Sequence, residues 1–183
     1  DEALTHGGIS NKIKVNLIRI ESDKLKPSQI SKKLKNVSGL LIPGGFGKRG
    51  TEGKISAIKY ARERKIPFLG ICFGMQMAII EFARNKLKIK KAGSTELDKK
   101  CYPVIGLIEE WNKEGKIIKG TDKDLGGTMR LGSYDAKLKD GTMIKRIYGK
   151  NLIKERHRHR YEVNIAYKEK FEKNGMSFSG LSP

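Results

Sequence analysis

The stretch Lys65-Ile66-Pro67-Phe68-Leu69-Gly70-Ile71-Cys72-Phe73-Gly74-Met75-Gln76 constrains the fold more than any other. An apolar run enters it and a helical pattern leaves it. At its centre a single cysteine stands between glycines. Gly70-Ile71-Cys72-Phe73-Gly74 has the spacing of a nucleophile elbow, with Cys in the place that Ser usually takes. Such an elbow joins a buried strand to a helix through a very tight turn. It pushes the nucleophile into the open and aims the helix's first free N–H groups at the same point. Their partial positive charge favours a thiolate over a thiol. Cys72 is therefore the candidate nucleophile. A lone cysteine is otherwise most often a small buried hydrophobe. Cys101, which has no such frame, is assigned to packing or surface.

The sequence on either side repeats the strand–helix unit. Lys12 to Ile20 alternates apolar and polar residues, the pattern of a strand. Residues 1–11 look like the end of a helix stopped at Gly7-Gly8. Pro27 to Leu34 suits a short helix with Pro near its first turn. Leu40-Leu41-Ile42 is wholly apolar, as in a parallel strand covered on both faces. Thr51 to Lys65 has helical spacing at Ile55, Ile58 and Ala61, with Glu52 in the first turn and Arg64 and Lys65 in the last. A further helix is expected from Met75 to Arg84. Strand–helix alternation repeated three times predicts an α/β fold, an open and mostly parallel sheet with helices on both faces. Function in such sheets gathers at the carboxyl ends of the strands. The loop Pro43-Gly44-Gly45-Phe46-Gly47-Lys48-Arg49-Gly50 and Cys72 lie at the ends of consecutive strands, so they should be neighbours.

After Arg84 the texture changes. Val104 to Ile108 and Lys116 to Ile118 flank Asn112-Lys113-Glu114-Gly115, a small antiparallel hairpin signal. Gly126-Gly127-Thr128-Met129-Arg130-Leu131-Gly132 is a glycine-punctuated turn. Gly141 to Tyr148 and Lys168 to Lys173 read as short helices, and Met176-Ser177-Phe178 as the start of a strand.

A chain of 183 residues fits one domain, spanning 1–183, with enough length for a real core. Hydrophobic residues at 37% and charged residues at 32% describe a globular protein with a heavily charged surface. No stretch approaches the roughly 18 apolar residues of a membrane span, so no membrane association is expected. Two cysteines make no disulfide framework and fit a reducing, cytoplasmic setting. The net charge of +19 raises nucleic acid as a partner. The lysines, however, are spread along the chain with no basic block interleaved with aromatics, which is the pattern of a solvated surface. Nucleic acid is not expected as a partner, and no metal site is expected. The chain does not begin with Met, and it is expected to be a piece of a longer protein.

Each remaining motif has two readings. Gly44-Gly45-Phe46-Gly47 serves either as a loop needing unusual backbone angles or as a donor loop. In the second case the N–H groups of Gly45 and Phe73 would bind the oxyanion of a tetrahedral intermediate. Its spacing matches neither nucleotide-binding glycine pattern. In Arg156-His157-Arg158-His159-Arg160, an extended backbone would put arginines on one face and histidines on the other. Such a run is either a solvated basic surface or a source of a bidentate arginine clamp for a carboxylate. Glu96 is an ordinary surface acid or the acceptor of a substrate ammonium group. A cysteine nucleophile normally has a histidine base with an orienting carboxylate. The chain has three histidines, His6, His157 and His159. His6 precedes the first strand, and the flanking arginines would disfavour an imidazolium at the other two.

Taken together, Pro43 to Lys54, Gly70 to Gln76, Gly126 to Gly132 and Glu155 to Asn164 resemble the glutamine amidotransferase domain of the CTP synthase family. The elbow alone indicates only a triad-type, class I amidotransferase, and the last two motifs narrow it. The resemblance covers nearly the whole chain and implies a flavodoxin-like fold. It implies that Cys72 forms a glutamyl thioester with L-glutamine. Gly45, Phe73, Gly74, Met75 and Gln76 would supply oxyanion and glutamine contacts. Glu96 would hold the glutamine ammonium and Arg160 its carboxylate. Phe46, Arg49, Gly50 and Glu52 resemble the lid region through which GTP activates the family. The resemblance also implies a separate synthetase domain that uses ATP, UTP and Mg²⁺, and assembly into a tetramer through that domain. No cofactor is implied for the amidotransferase part. The family's base and orienter lie in a His-Pro-Glu motif, which these 183 residues do not include. The triad is thus incomplete in them. The rival readings are a catalytically incomplete regulatory module, a different class I amidotransferase and a cysteine peptidase on the same fold.

Overall fold

The computed structural model describes residues 1–107, 110–113, 116–119 and 129–183. In chain order the elements are α1 (Glu2–Ser10), α2 (Pro27–Lys33), β1 (Leu40–Ile42), α3 (Thr51–Glu63), β2 (Phe68–Gly70), α4 (Phe73–Asn85), β3 (Ala92–Ser94), β4 (Tyr102–Leu107), β5 (Glu110–Lys113), β6 (Lys116–Lys119), β7 (Arg130–Leu138), α5 (Met143–Tyr148), β8 (Leu152–His159), β9 (Tyr161–Val163), α6 (Lys168–Lys173) and β10 (Gly180–Leu181). The pair β1–β2 is parallel, with Leu40 opposite Phe68 and Ile42 opposite Gly70. A mixed sheet has the order β3–β4–β9, parallel between β3 and β4 and antiparallel between β4 and β9. This is the expected α/β architecture with parallel strands and helices on both faces. An antiparallel sheet of order β10–β7–β8 lies beside it.

The central element is α4. Nearly every residue from Phe73 to Ala83 is buried, because the helix packs on α3 and on strands β1, β2, β3, β4 and β9. Phe73, Met77 and Ile80 meet Ile42, Ile55, Ile58, Val104, Ile105 and Phe171 in the main core. A second cluster of Leu25, Ile30, Leu34 and Ala57 packs α2 beneath α3. Helix α3 buries Ile55, Ile58 and Ala61 as its spacing predicts. Glu81, 1% exposed, accepts three hydrogen bonds from Arg62 at 2.8–3.2 Å and so ties α4 to α3. A buried carboxylate persists only with such partners. No helix among the described residues is long and apolar enough to cross a membrane.

Four expectations are corrected. Lys12 to Ile20 forms no strand, and Ile13, Val15, Leu17 and Ile18 are exposed. Its alternation is that of a strand, but a strand needs a ladder, and no described strand pairs with it. Gly7-Gly8 does not stop α1, which runs on to Ser10. Gly8 instead permits close approach, since a Cβ there would lie 2.8 Å from the Ile13 carbonyl oxygen. The strand opposite β6 is β5, whereas Tyr102–Leu107 pairs with β9. The hairpin's turn and Gly126 to Thr128 lie outside the described residues. Finally, Met176 and Phe178 are core residues in an irregular segment, and the strand starts at Gly180.

The contact that seats α4 is a glycine against a carbonyl. A Cβ on Gly74 would lie 2.1 Å from the Ile42 carbonyl oxygen, and one on Gly70 would lie 2.7 Å from the Gly74 carbonyl carbon. Both contacts are with backbone, which cannot swing aside. Gly74→Ala is expected to destabilise the fold by about 3 kcal/mol or more, read as a lowered urea midpoint with an unchanged slope.

Candidate functional site

The chain leaves β2 at Gly70 and enters α4 at Phe73, so Ile71 and Cys72 must reverse the backbone within two residues. The N–H of Ile71 donates to the Ile42 carbonyl at 3.0 Å, and that of Gly74 to the Ile71 carbonyl at 2.9 Å. Cys72 is left at φ 53°, ψ −106° as the N-cap of α4. That backbone is strained for a residue with a Cβ, a cost that clusters at functional sites. The Cys72 thiol is free and exposed. Its carbonyl accepts the Gln76 N–H at 3.1 Å. The elbow expected from the sequence is thus present in full.

The glycine loop stands beside it. A Cβ on Gly44 would be 3.6 Å from the Cys72 Cβ, so the loop and Cys72 are neighbours as expected. The N–H groups of Gly45 and Phe73 have no hydrogen-bond partner among the described residues. Phe46 is 90% exposed. Arg49 forks onto Asp23 through Nε at 2.9 Å and an Nη at 2.6 Å. This pairing holds the Asp23 carboxyl below its ordinary range and raises the Arg49 guanidinium. Lys54 donates to Ser22 Oγ at 2.9 Å and to the Arg49 carbonyl at 3.2 Å, and burial pushes its ammonium pKa down. Gly50, in the left-handed region at φ 68°, is the N-cap of α3. Glu52 turns away to Arg84, at 2.9 and 3.2 Å.

On the other side lie Glu96, Gln76 and Arg160. The Gly47 N–H donates to Glu96 Oε1 at 2.9 Å, and the Glu96 N–H to Ser94 Oγ at 3.2 Å. Gln76 is 4% exposed; its Nε2 donates to the Tyr161 carbonyl at 3.0 Å, and its Oε1 is buried without a partner. Met75 is exposed and Gly74 buried. Arg160 sits half-buried at the bend between β8 and β9, with no ion pair or hydrogen bond among the described residues. The structure thus joins Cys72 to the glycine loop, Glu96 to that loop, and α4 to β9 beside Arg160. Ser94 and the Gly47 N–H were not singled out from the sequence. The Gly47 contact spans 49 residues of chain, which no local pattern records, whereas Ser94 meets the backbone only two residues on. No group of three or more His, Cys, Asp and Glu able to hold a metal occurs among the described residues. Cys101 is half-buried, and burial pushes its thiol up, as suits packing.

Within β8 the expected alternation is present, Arg156 and Arg158 being exposed and His157 and His159 turned inward, but Arg160 lies past the end of the strand and is half-buried, so it does not share the arginine face. The cause of the histidines' weakened basicity differs from expectation. Burial is the main cause at both; Arg130 across the sheet also opposes protonation of His157, and His157 followed by Arg130 opposes that of His159. Arg156 and Arg158, which flank His157, are exposed. Nδ1 of His157 lies 2.8 Å from Nε2 of His159, Tyr134 packs edge-on to His157, and Arg130 pairs with Glu162 at 2.9 Å. The lowered pKa of each histidine means that the unfolded chain binds more protons. Stability from this pair is therefore full above the ordinary pKa of about 6.5 and falls as pH drops below it. The urea midpoint should be lower at pH 5 than at pH 7.5, and a His157→Gln, His159→Gln double variant should show a smaller drop.

Three comparisons bear on this geometry. The family model of the class I glutamine amidotransferases matches residues 1–183. The CTP synthase of Pelagibacter ubique is 77% identical over 183 residues, and that of Azospirillum brasilense 56% over 186, each match covering 100% of this chain and 34% of the relative. The chain thus spans about a third of the length of the curated relatives it matches. Among solved structures, the glutaminase domain of Trypanosoma brucei CTPS with bound acivicin superposes with a TM-score of 0.86 at 32% identity, covering 100% of this chain and 67% of that one. The matched family, the cysteine elbow and the α/β frame agree: the chain belongs to the class I glutamine amidotransferase family.

Proposed function

We propose that this chain is the glutaminase part of a CTP synthase. The observation that carries the proposal is the exposed Cys72 thiol on a strained elbow at the N-terminus of α4, beside a glycine loop whose Gly45 N–H has no partner among the described residues. The thiolate form of cysteine is the nucleophile. It attacks the side-chain amide carbon of L-glutamine. The carbonyl electrons move onto oxygen, and the Gly45 and Phe73 N–H groups donate hydrogen bonds to the oxyanion that forms. Its collapse breaks the C–N bond, and the nitrogen leaves as ammonia, taking up the proton that the thiol released on ionising. Water then attacks the thioester, the C–S bond breaks, and glutamate departs.

The remaining residues orient the substrate. Glu96 receives the α-ammonium, and Arg160, which has no ion pair among the described residues, receives the α-carboxylate as a planar fork. Gln76 fixes the first turn of α4 against β9, and Gly74 and Met75 lie beside the substrate. The chain's own steps use no metal or cofactor. The family's base stands in a His-Pro-Glu motif outside these 183 residues. His157 and His159 contact each other, and neither has Cys72 among its partners.

Ammonia then passes to a synthetase part, which uses ATP, UTP and Mg²⁺ to form CTP in the cytoplasm and through which the enzyme assembles as a homo-oligomer. GTP would act at the glycine-loop lid, where Phe46 presents an exposed ring. Arg49 would have to leave Asp23, and Glu52 would have to leave Arg84, to contact it.

Because the base is not required for nucleophile capture, covalent labelling tests the assignment directly. Acivicin should modify Cys72 and no other residue. Cys72→Ala should abolish the label, and Arg160→Ala should raise the half-saturating concentration roughly tenfold or more. Mass spectrometry of the labelled peptide is the measurement. Modification at Cys101 instead, or none at Cys72, would overturn the nucleophile assignment.

A further inference from the structure

The strongest tie between the glycine loop and the rest of the molecule is a hydrogen bond that the reaction scheme does not use. Gly47 N–H donates to Glu96 Oε1 over 2.9 Å. Among the described residues this is the one hydrogen bond made by residues 43–47. On the far side the loop is anchored at Lys48 and Arg49, through Thr51, Asp23 and Lys54. On the near side it is anchored only by β1, which ends at Ile42. Between these anchors lie Gly44, Gly45 and Gly47, residues that lose much conformational freedom on ordering. Glu96 is itself held in place. Its N–H donates to Ser94 Oγ at 3.2 Å, and Ser94 is 1% exposed in β3. The bond therefore connects a mobile type of sequence to a rigid strand.

We propose that Glu96 is the positioning residue of the glycine loop, holding the Gly44-Gly45 segment, whose Gly44 lies beside Cys72, in place through the Gly47 N–H. This deepens the glutaminase assignment and rests on it for the roles of Gly45 and of the ammonium group. A carboxylate has two oxygens with room for several donors. One oxygen can keep the Gly47 N–H while the other receives the substrate ammonium. One side chain then reads the α-amino group of the substrate and sets the place of the oxyanion donor. Occupancy of Glu96 and order in the loop are coupled, and the coupling is reciprocal. A ligand without the ammonium group would leave the loop as it stands. A substitution that frees the loop would weaken the chemical step as well as binding.

Two variants separate the roles. Glu96→Gln keeps a carbonyl oxygen that can accept the Gly47 N–H but loses the charge. Glu96→Ala loses both. Amide hydrogen exchange at Gly47 and the concentration dependence of acivicin labelling are the readouts. The exchange of Gly47 should be roughly tenfold faster in Glu96→Ala than in wild type, with Glu96→Gln close to wild type. Both variants should raise the half-saturating acivicin concentration. Glu96→Ala should also have a maximal labelling rate at least about threefold below that of Glu96→Gln. Equal Gly47 exchange in the three proteins, or equal maximal rates in the two variants, overturns the proposal. If acivicin fails to label wild-type Cys72 while Gly47 exchange still depends on Glu96, the positioning role stands and the glutaminase assignment fails.

Discussion

The carbonyl of Ile42 organises the site. It ends β1, accepts the N–H of Ile71 at 3.0 Å, and lies where any side chain on Gly74 would have to be. These two contacts bring the end of one parallel strand against the turn that leaves the next. The turn then has no room to relax, and Cys72 takes up the strain at φ 53°. Strain of this kind persists only when its surroundings over-determine it. Here the surroundings are α4, buried along almost its whole length, and the core that it forms with Ile55, Ile58, Val104 and Ile105. Exposure of the thiol and burial of the helix behind it are two sides of one packing solution.

Charge is distributed around this frame with economy. The chain carries 39 basic and 20 acidic residues, so acids are the scarcer resource, and several of them stand at structural joints near the site. Asp23 holds Arg49 at the end of the glycine loop, and Glu52 holds Arg84 at the foot of α3. Glu81 ties α4 to α3, Glu96 holds the Gly47 N–H, and Glu162 holds Arg130 beside the paired histidines. The exposed pairs among these contribute little to stability. Their effect is to fix the direction of the loop and of the β8–β9 bend. Among the described residues no lysine is buried, as the even spread of lysine along the chain implies.

Much of this was legible beforehand where the information is local. Helices α2, α3, α4, α5 and α6 fall close to where spacing, caps and charge placed them, because a helix bonds to itself within four residues. The elbow was legible for the same reason, since glycines at both flanks of a cysteine state a steric requirement in five residues. Strands were read less well. Lys12 to Ile20 has the alternation of a strand but no described ladder partner. Tyr102–Leu107 found its partner in β9, more than fifty residues on, rather than in the nearby hairpin.

The sequence by itself determined that Cys72 would stand at the apex of a strand–turn–helix elbow with a glycine loop next to it, for backbone sterics within a few residues permit little else. Only the tertiary structure decided that Glu96 meets the Gly47 N–H, that Gln76 reaches the Tyr161 carbonyl, and that burial and Arg130, not the neighbouring arginines, weaken the two histidines. These contacts join residues far apart in the chain. Their geometry follows from how whole elements pack, and the elbow, though sharply specified, depends on that packing for the groups that would bind a substrate around it.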